Sequence, residues 1–406
     1  MAGMIGEFGI SEASRTQEAV GVEASGRVLL AAGGTGGHIS PAIALSEALG
    51  RIAPGVEVQF CCGHRPTELQ LYRRQGIRPW VLPVAHNRPG LLRRLGTLGR
   101  LMAAWRRTRR LLRAHPVAVA VGFGSYISVP PMLAARSVGA SLIIHEQNVL
   151  PGRANRMLAP LARVIATACE PAKGQFNPAK VRVVGTPIRA SFLKPVDPAE
   201  ARDFFRLSAD KPVCLVIGGS QGAMGINQIL LDLAGRMRGP DSPAGRWQLL
   251  WSTGPVHYQP VMKGLRQMGV DVCGHSINPF IEEMAMAYAA ADLVVARSGA
   301  STQAELTVMG RPAVLIPLPH AGDHQRLNAQ RLEQVGAAHI IEQGDPRAAE
   351  KLESMLGRLD TQPVLLERMR RAARSNGFPD AAERLARVVL DFLPNPKQAG
   401  AIQYHQ

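Results

Sequence analysis

From Arg27 onward, short apolar runs rich in β-branched residues alternate with longer stretches whose apolar positions recur every three to four residues. RVLLAA, VEVQFCCG, VAVAVGFG, SLIIHEQ, RVIATACE and VRVVG have strand length and almost no polar alternation, the pattern of strands covered on both faces. Helical stretches such as PAIALSEALGRI separate them, which predicts βαβ units and a parallel sheet. A second series begins at Pro212 with VCLVIGG, runs through WQLLWSTG, DLVVARSG and PAVLIPLP, and ends at AAHIIEQG. The chain therefore reads as α/β, with two doubly wound halves. A Gly and a Pro after VRVVG put the junction at Gly185-Thr186-Pro187. The predicted boundaries are an extension over 1–26, domains over 27–185 and 186–379, a last helix over 380–393 and an aperiodic, disordered tail over 394–406. Asp380 and Glu383 predict a capping box at the start of that last helix.

Both halves open on a glycine turn. Gly33-Gly34-Thr35-Gly36-Gly37-His38 follows the first strand, and Gly218-Gly219-Ser220-Gln221-Gly222-Ala223 follows its counterpart. Such a turn sets backbone N–H groups and a positive helix end against an anion, so two of them predict a diphosphate site. Neither matches G-x-G-x-x-G, and the nearest acid, Glu57, lies inside a strand, which disfavours nicotinamide or flavin. His145-Glu146 is followed by Val149 where a metalloprotease helix needs a second histidine. Asp-x-Asp is absent, so charge on a leaving diphosphate falls to helix ends and arginines.

A length of 406 residues suits two or three domains. Lysine and arginine outnumber aspartate and glutamate by 47 to 31, and the resulting +16 predicts a polyanionic partner, nucleic acid or anionic membrane. Aromatic residues are only 5% and no nucleic-acid-binding signature occurs, which favours the membrane. The basic stretch from Leu91 to Arg113 predicts an amphipathic helix: Leu91, Leu95, Leu98, Met102, Trp105 and Leu112 share one stripe, and Arg93, Arg100 and Arg107 oppose it. No apolar run reaches a membrane-spanning length, so contact is peripheral. The odd count of five cysteines without C-x-x-C suits a reducing compartment, and the glutamates at 7, 12, 18 and 23 do not fit a secretory signal.

GGTGGHISPAIALSEAL, HEQNVLPGRANR, VVGTPIR, GGSQGA and ARSGASTQAELTVMGRPAVLIPLPHAGDHQRLNAQ together resemble the MurG family of peptidoglycan glycosyltransferases, from about Arg27 to Phe392. The resemblance implies a GT-B fold, two Rossmann-like domains facing a cleft, with the last helix packing back on the first domain. It implies an inverting transfer of N-acetylglucosamine from UDP-N-acetylglucosamine to the C4 hydroxyl of the muramyl sugar of lipid I, which forms lipid II. It implies no metal or other cofactor. The partners it implies are the donor, lipid I, an anionic phospholipid surface at the cytoplasmic face of the inner membrane, and other cell-wall synthesis proteins.

On the matching positions, Thr35, Gly36, Gly37 and Asn148 would contact the donor from the first domain, with Arg189 and Ser220 at its diphosphate and sugar. Ile281 would lie by the uracil. Ala300, Ser301 and Thr302 would wrap the nucleoside, Glu305 would accept from the ribose hydroxyls, and Gln325 would reach the sugar. His38 is the candidate catalytic group, because its ordinary pKa suits proton transfer. Plainer roles stand beside these: His38 as a donor at a helix start, Thr302-Glu305 as a capping box, Asn148 as a turn residue, Asp323 as an N-cap and Arg189 as a surface cation. Two departures from the family pattern are Gly122-Phe123-Gly124-Ser125-Tyr126 in place of a Gly-Gly-Tyr turn, and Thr186 where asparagine is common. Two other activities fit the same residues: a GT-B enzyme with another acceptor or an epimerase reaction, and a non-catalytic nucleotide-binding scaffold.

Overall fold

The computed structural model describes residues 24–84, 91–170, 174–219, 221–237, 242, 244–319 and 323–394, with side chains from 96 onward in the segment that starts at 91. The predicted extension is thus described only from Ala24, and the tail only at Pro394.

Two parallel sheets form the molecule. The first contains β1 (Gly26–Ala31), β2 (Val56–Cys62), β3 (Trp80–Val81), β4 (Val119–Gly122), β5 (Ser141–Glu146), β6 (Val164–Thr167) and β7 (Val181–Val183), in the order β3-β2-β1-β4-β5-β6-β7. The second contains β8 (Val213–Ile217), β9 (Gln248–Ser252), β10 (Ser276–Asn278), β11 (Leu293–Ala296), β12 (Ala313–Leu315) and β13 (Ala338–Ile340), in the order β10-β9-β8-β11-β12-β13. Both therefore wind outward in two directions from one strand, β1 or β8. The switch points lie between β1 and β4 and between β8 and β11, where a ligand cleft forms beyond the strand C-termini. Only β3 and β10 were not foreseen. At two and three residues on sheet edges, they are too short to show a period.

The predicted strands are buried on both faces. Val28 and Leu30 belong to one cluster and Leu29 and Ala31 to another, all with no exposure. Beyond β7 the chain leaves the first sheet: Ile188 and Phe192 enter the core beneath β8 and β11. The last helix, Ala381–Leu390, returns to the first sheet, where Leu385, Ala386 and Val389 pack with helix Gly36–Ile52. Burying each of the larger aliphatic side chains stabilises this return by about 1.5–3 kcal/mol. Its predicted capping box does not form. Asp380 instead accepts from Arg384 Nε at 2.7 Å, and Glu383 pairs with Arg51 at 3.7 Å.

The basic helix spans Leu91–Ala114 and packs against helix Val129–Ser137. Its buried line runs through Ala104, Thr108 and Leu112, with Leu101 and Trp105 half-buried, while Leu98 and Met102 are exposed. Part of the expected stripe thus faces away from the core. The neighbouring helix selects the face: Ala104 is small enough for close approach, and Thr108 hides its hydroxyl on the Ala104 carbonyl at 2.9 Å.

Candidate active site

An open cavity of about 1100 Å³ lies between the strand C-termini of the two sheets. Thr35, Gly37, His38, Ser125, Glu146 and Asn148 line one side, and Gly299, Ala300, His324 and Gln325 the other.

On the first side, the turn after β1 enters helix Gly36–Ile52 at Thr35, with no acidic side chain in the first turn and no side-chain cap. The positive helix end is left to an anion. Gly34 has φ +94°, and a Cβ there would lie 2.9 Å from Ser125 Oγ, so glycine is required for two turns to touch. Ser125 carries φ 60° and ψ 147°, a conformation costing about 1–3 kcal/mol outside glycine, where the neighbouring turn departs from the family pattern. His38 Nδ1 lies 3.2 Å from Thr35 Oγ1, and Gly124 leaves room for the opposite edge of the ring. The ring is half-exposed to solvent yet closely surrounded by protein. That desolvation lowers its pKa from the usual histidine value, against the raising effect of the Glu146 charge, so His38 is neutral and able to accept a proton at pH 7.

Glu146 ends β5 and is buried. Its carboxylate accepts from Asn148 N and Nδ2, both at 3.0 Å, and from Gly152 N and Asn155 Nδ2, both at 2.9 Å. Four donors thus fix the 147–155 loop to one carboxylate. Next to it, buried His145 donates from Nε2 to the Gly185 carbonyl at 2.9 Å and accepts from Gln147 Nε2 at 3.1 Å, which ties β5 to the segment that follows β7. Burial brings its pKa down to about 4, so it remains neutral and structural.

On the second side, helix Ala300–Val308 starts at Gly299, again with no acidic first-turn residue. Glu305 is therefore in the sixth helical position and cannot cap. Its Oε2 accepts from Tyr288 Oη at 3.0 Å, which removes the capping-box alternative. Burial raises its pKa to about 7, while the Tyr288 hydrogen bond and the Arg189 charge pull it down. Arg189 lies over the Phe192 ring at 5.4 Å. Ile281 is buried in the core beneath β8 and β11, so the structure gives its side chain no open contact with a ligand. Gln325 Oε1 accepts from Leu318 N at 2.9 Å, and its carbonyl accepts from Ser298 Oγ at 2.7 Å. Asp323 holds the N-cap position of helix His324–Gln334 with φ 61° but makes no side-chain cap. Ser220 lies outside the described residues.

The two sides are joined. Asn328, buried in helix His324–Gln334, accepts from Val149 N at 3.1 Å and donates to Asn148 Oδ1 at 3.0 Å. His324 Nδ1 donates to the Leu150 carbonyl at 2.8 Å, and Ser301 Oγ donates to the Gly37 carbonyl at 3.1 Å. Asn148 is therefore a bridge between Glu146 and Asn328, beyond either role read from sequence.

Residues 28–167 match the glycosyltransferase family 28 N-terminal domain, and residues 213–385 match the family 28 C-terminal domain. The chain belongs to glycosyltransferase family 28. Within the family, it is 38% identical over 90% of its length, and 98% of the relative's, to the UDP-N-acetylglucosamine–N-acetylmuramyl-(pentapeptide) pyrophosphoryl-undecaprenol N-acetylglucosamine transferase of Chlorobaculum parvum. It is 34% identical to the enzyme of that name from Bacillus subtilis, over 89% of this chain and 98% of the other. The crystal structure of Acinetobacter baumannii MurG superposes with a TM-score of 0.70 at 30% identity, over 90% of this chain and 99% of that one. The family 28 chain thus has the GT-B fold and is a glycosyltransferase.

The structure gathers Thr35, Gly37, His38, Asn148, Ala300 and Gln325 on one cavity, and places Glu305 and Arg189 together beside Tyr288. Sequence reasoning missed Glu146, Tyr288, Ser125, His324 and Asn328. A carboxylate ending an otherwise apolar strand signals Glu146, and Asn328 lies one helical turn beyond His324 in DHQRLN. Nothing local marks Tyr288, which is 17 residues from the carboxylate it serves.

Proposed function

We propose that this chain transfers N-acetylglucosamine from UDP-N-acetylglucosamine to the C4 hydroxyl of the muramyl sugar of lipid I, with inversion, forming lipid II for peptidoglycan. The observation that carries it is the meeting of two acid-free helix N-termini, joined by Ser301 Oγ and the Gly37 carbonyl, around a cavity with a neutral histidine on its wall. The names and lengths of the family relatives support the same reading.

In this reading the donor lies on the second domain. Glu305 accepts from the ribose hydroxyls, the Ile281 backbone meets the uracil, and Ala300, Ser301 and Thr302 wrap the nucleoside. Arg189, Ser220 and the helix ends of Gly36, Gly37 and Ala300 stabilise the diphosphate, where negative charge grows as the leaving bond breaks. Thr35, Asn148 and Gln325 hold the sugar. The acceptor oxygen attacks the anomeric carbon from the face opposite the diphosphate, and its proton passes to His38 as UDP departs with the bonding electrons.

We place the division at 185/186, with the first domain and the last helix serving the acceptor. The exposed Leu98 and Met102, with the exposed Arg106 one helical turn beyond Met102, suit peripheral attachment to anionic phospholipid at the cytoplasmic face of the inner membrane. Each basic residue near such a surface contributes about 1 kcal/mol. No helix among the described residues is long and apolar enough to cross a membrane. The test is UDP release by the purified protein with and without a lipid I analogue, with analysis for a new disaccharide. Acceptor-dependent release of that product supports the proposal. Donor binding without turnover on any acceptor would favour a scaffold, and absence of donor binding would overturn the site.

A further inference from the structure

A second concavity lies beside the cleft on the first domain, an open groove of about 770 Å³ lined by His64, Val81, Leu82, Pro83, Arg100 and Arg107. Two guanidinium groups and an imidazole face one short apolar strip, the end of β3 and the turn after it. We infer that this groove is the subsite for the diphosphate and the first isoprene units of the polyprenyl-linked acceptor. This inference rests on the proposed reaction and adds where the acceptor's charged linker is held.

Arg100 and Arg107 are seven residues apart on helix Leu91–Ala114, two turns, so their side chains emerge on the same face. Both are exposed, and neither has a carboxylate partner among the described residues, nor does neighbouring Arg65. A concave site with uncompensated guanidinium groups recognises phosphate oxygens through charge-assisted hydrogen bonds. No acidic side chain among the described residues lines the groove. Glu68 is 1% exposed, and its Oε2 accepts from Gly63 N at 2.9 Å beneath the glycine turns. The apolar strip of Val81, Leu82 and Pro83 offers the diphosphate no polar partner but suits hydrocarbon attached to it. A free nucleotide or inorganic phosphate has no use for that half of the groove.

The groove also adjoins the reaction cavity. Tyr126 lines the cavity, and its hydroxyl feels the charges of Arg65 and Arg100. A muramyl sugar with its hydroxyl at His38 would therefore lead past Tyr126 into the groove. The donor's diphosphate, held in the proposed reading by Arg189, Ser220 and the helix ends at Gly36, Gly37 and Ala300, does not compete for these arginines.

The experiment compares the full-length wild type with the Arg100→Gln/Arg107→Gln double variant, both exposed positions where folding is unaffected. Acceptor kinetics are measured without vesicles, on a short-chain, water-soluble lipid I analogue and on a muramyl-peptide alkyl glycoside lacking diphosphate. The expected result is an acceptor KM raised at least tenfold for the diphosphate analogue, unchanged kinetics on the glycoside, and a donor KM within twofold of wild type. Unchanged KM on the soluble diphosphate analogue, with loss only of binding to phosphatidylglycerol vesicles, would overturn the subsite and assign the arginines to lipid headgroups. An equal rise on both analogues would also overturn it, because the diphosphate would then not be what the groove reads. Failure of the wild type to turn over either acceptor would overturn the underlying reaction, and this inference with it.

Discussion

Asn328→Ala tests whether the two domains must be bridged for transfer. Asn328 is 2% exposed and makes two hydrogen bonds across the cleft, from Val149 N at 3.1 Å and to Asn148 Oδ1 at 3.0 Å. Its third contact, to the Ser298 carbonyl at 3.4 Å, is too long to count heavily. Truncation removes both bridges and leaves one donor and one acceptor of the 148–149 loop without partners. At about 0.5–1.5 kcal/mol for each bond, the arrangement loses about 2 kcal/mol, which corresponds to roughly 30-fold in rate or affinity. Because Asn148 holds the donor sugar in the proposed reading, the loss should appear in kcat/KM and as a weaker donor Kd, while the Kd for UDP alone, which lacks that sugar, stays within twofold of wild type. Asn328→Asp separates the two bonds. It keeps an acceptor for Val149 N–H but opposes a carboxylate to Asn148 Oδ1, so it should recover no activity over alanine. The assay is acceptor-dependent UDP release, with donor Kd by calorimetry and Tm as a folding control. A variant with wild-type Tm and kcat/KM within twofold would refute the bridge.

Further outcomes follow for three residues. Glu305 has a pKa near 7, so its ionised fraction rises about tenfold from pH 6 to pH 8; donor affinity should strengthen over that range and become flat in Glu305→Gln. The folded-state value lies above the unfolded one, so by linkage the fold gains from Glu305 as pH falls from 7 towards 4.5, and thermal scans of the Gln variant should lack that component. Desolvation by the surrounding protein lowers the pKa of His38, so the acid limb of kcat should lie below pH 6.5. His38→Ala should lower kcat by about 10²–10⁴ with donor Kd retained, and a loss under tenfold would exclude it as the base. Gly222 has φ +74°, and a Cβ there would lie 2.1 Å from the Thr253 carbonyl oxygen. Gly222→Ala should therefore cost at least about 2 kcal/mol of stability, and an unchanged Tm would show that the second glycine turn yields.

Much of this architecture was legible in the order of the residues. The doubly apolar strands declared a parallel sheet with helices on both faces, and the repeated glycine turns announced that the two halves begin alike. The identical strand orders around β1 and β8 are the structural form of that repeat. The capping patterns misled, since both were satisfied by partners other than the helix backbone. Glu305 turned to Tyr288, and Asp380 to Arg384. A cap motif states only that a side chain is able to reach an N–H, and a competing donor nearby in space decides whether it does.

The sequence by itself determined the α/β class, the two glycine turns, the basic helix and the family, because each is written in spacing of 2 to 10 residues or in motifs that are contiguous. Only the tertiary structure decided which face of the basic helix is buried, that His38 is neutral, that Glu146 anchors a loop, and that Asn328 spans the cleft to Asn148, 180 positions away. Periodicity reports what one segment presents. Burial, charge balance and bridging depend on what another segment brings opposite it, and that is settled only when the two sheets pack.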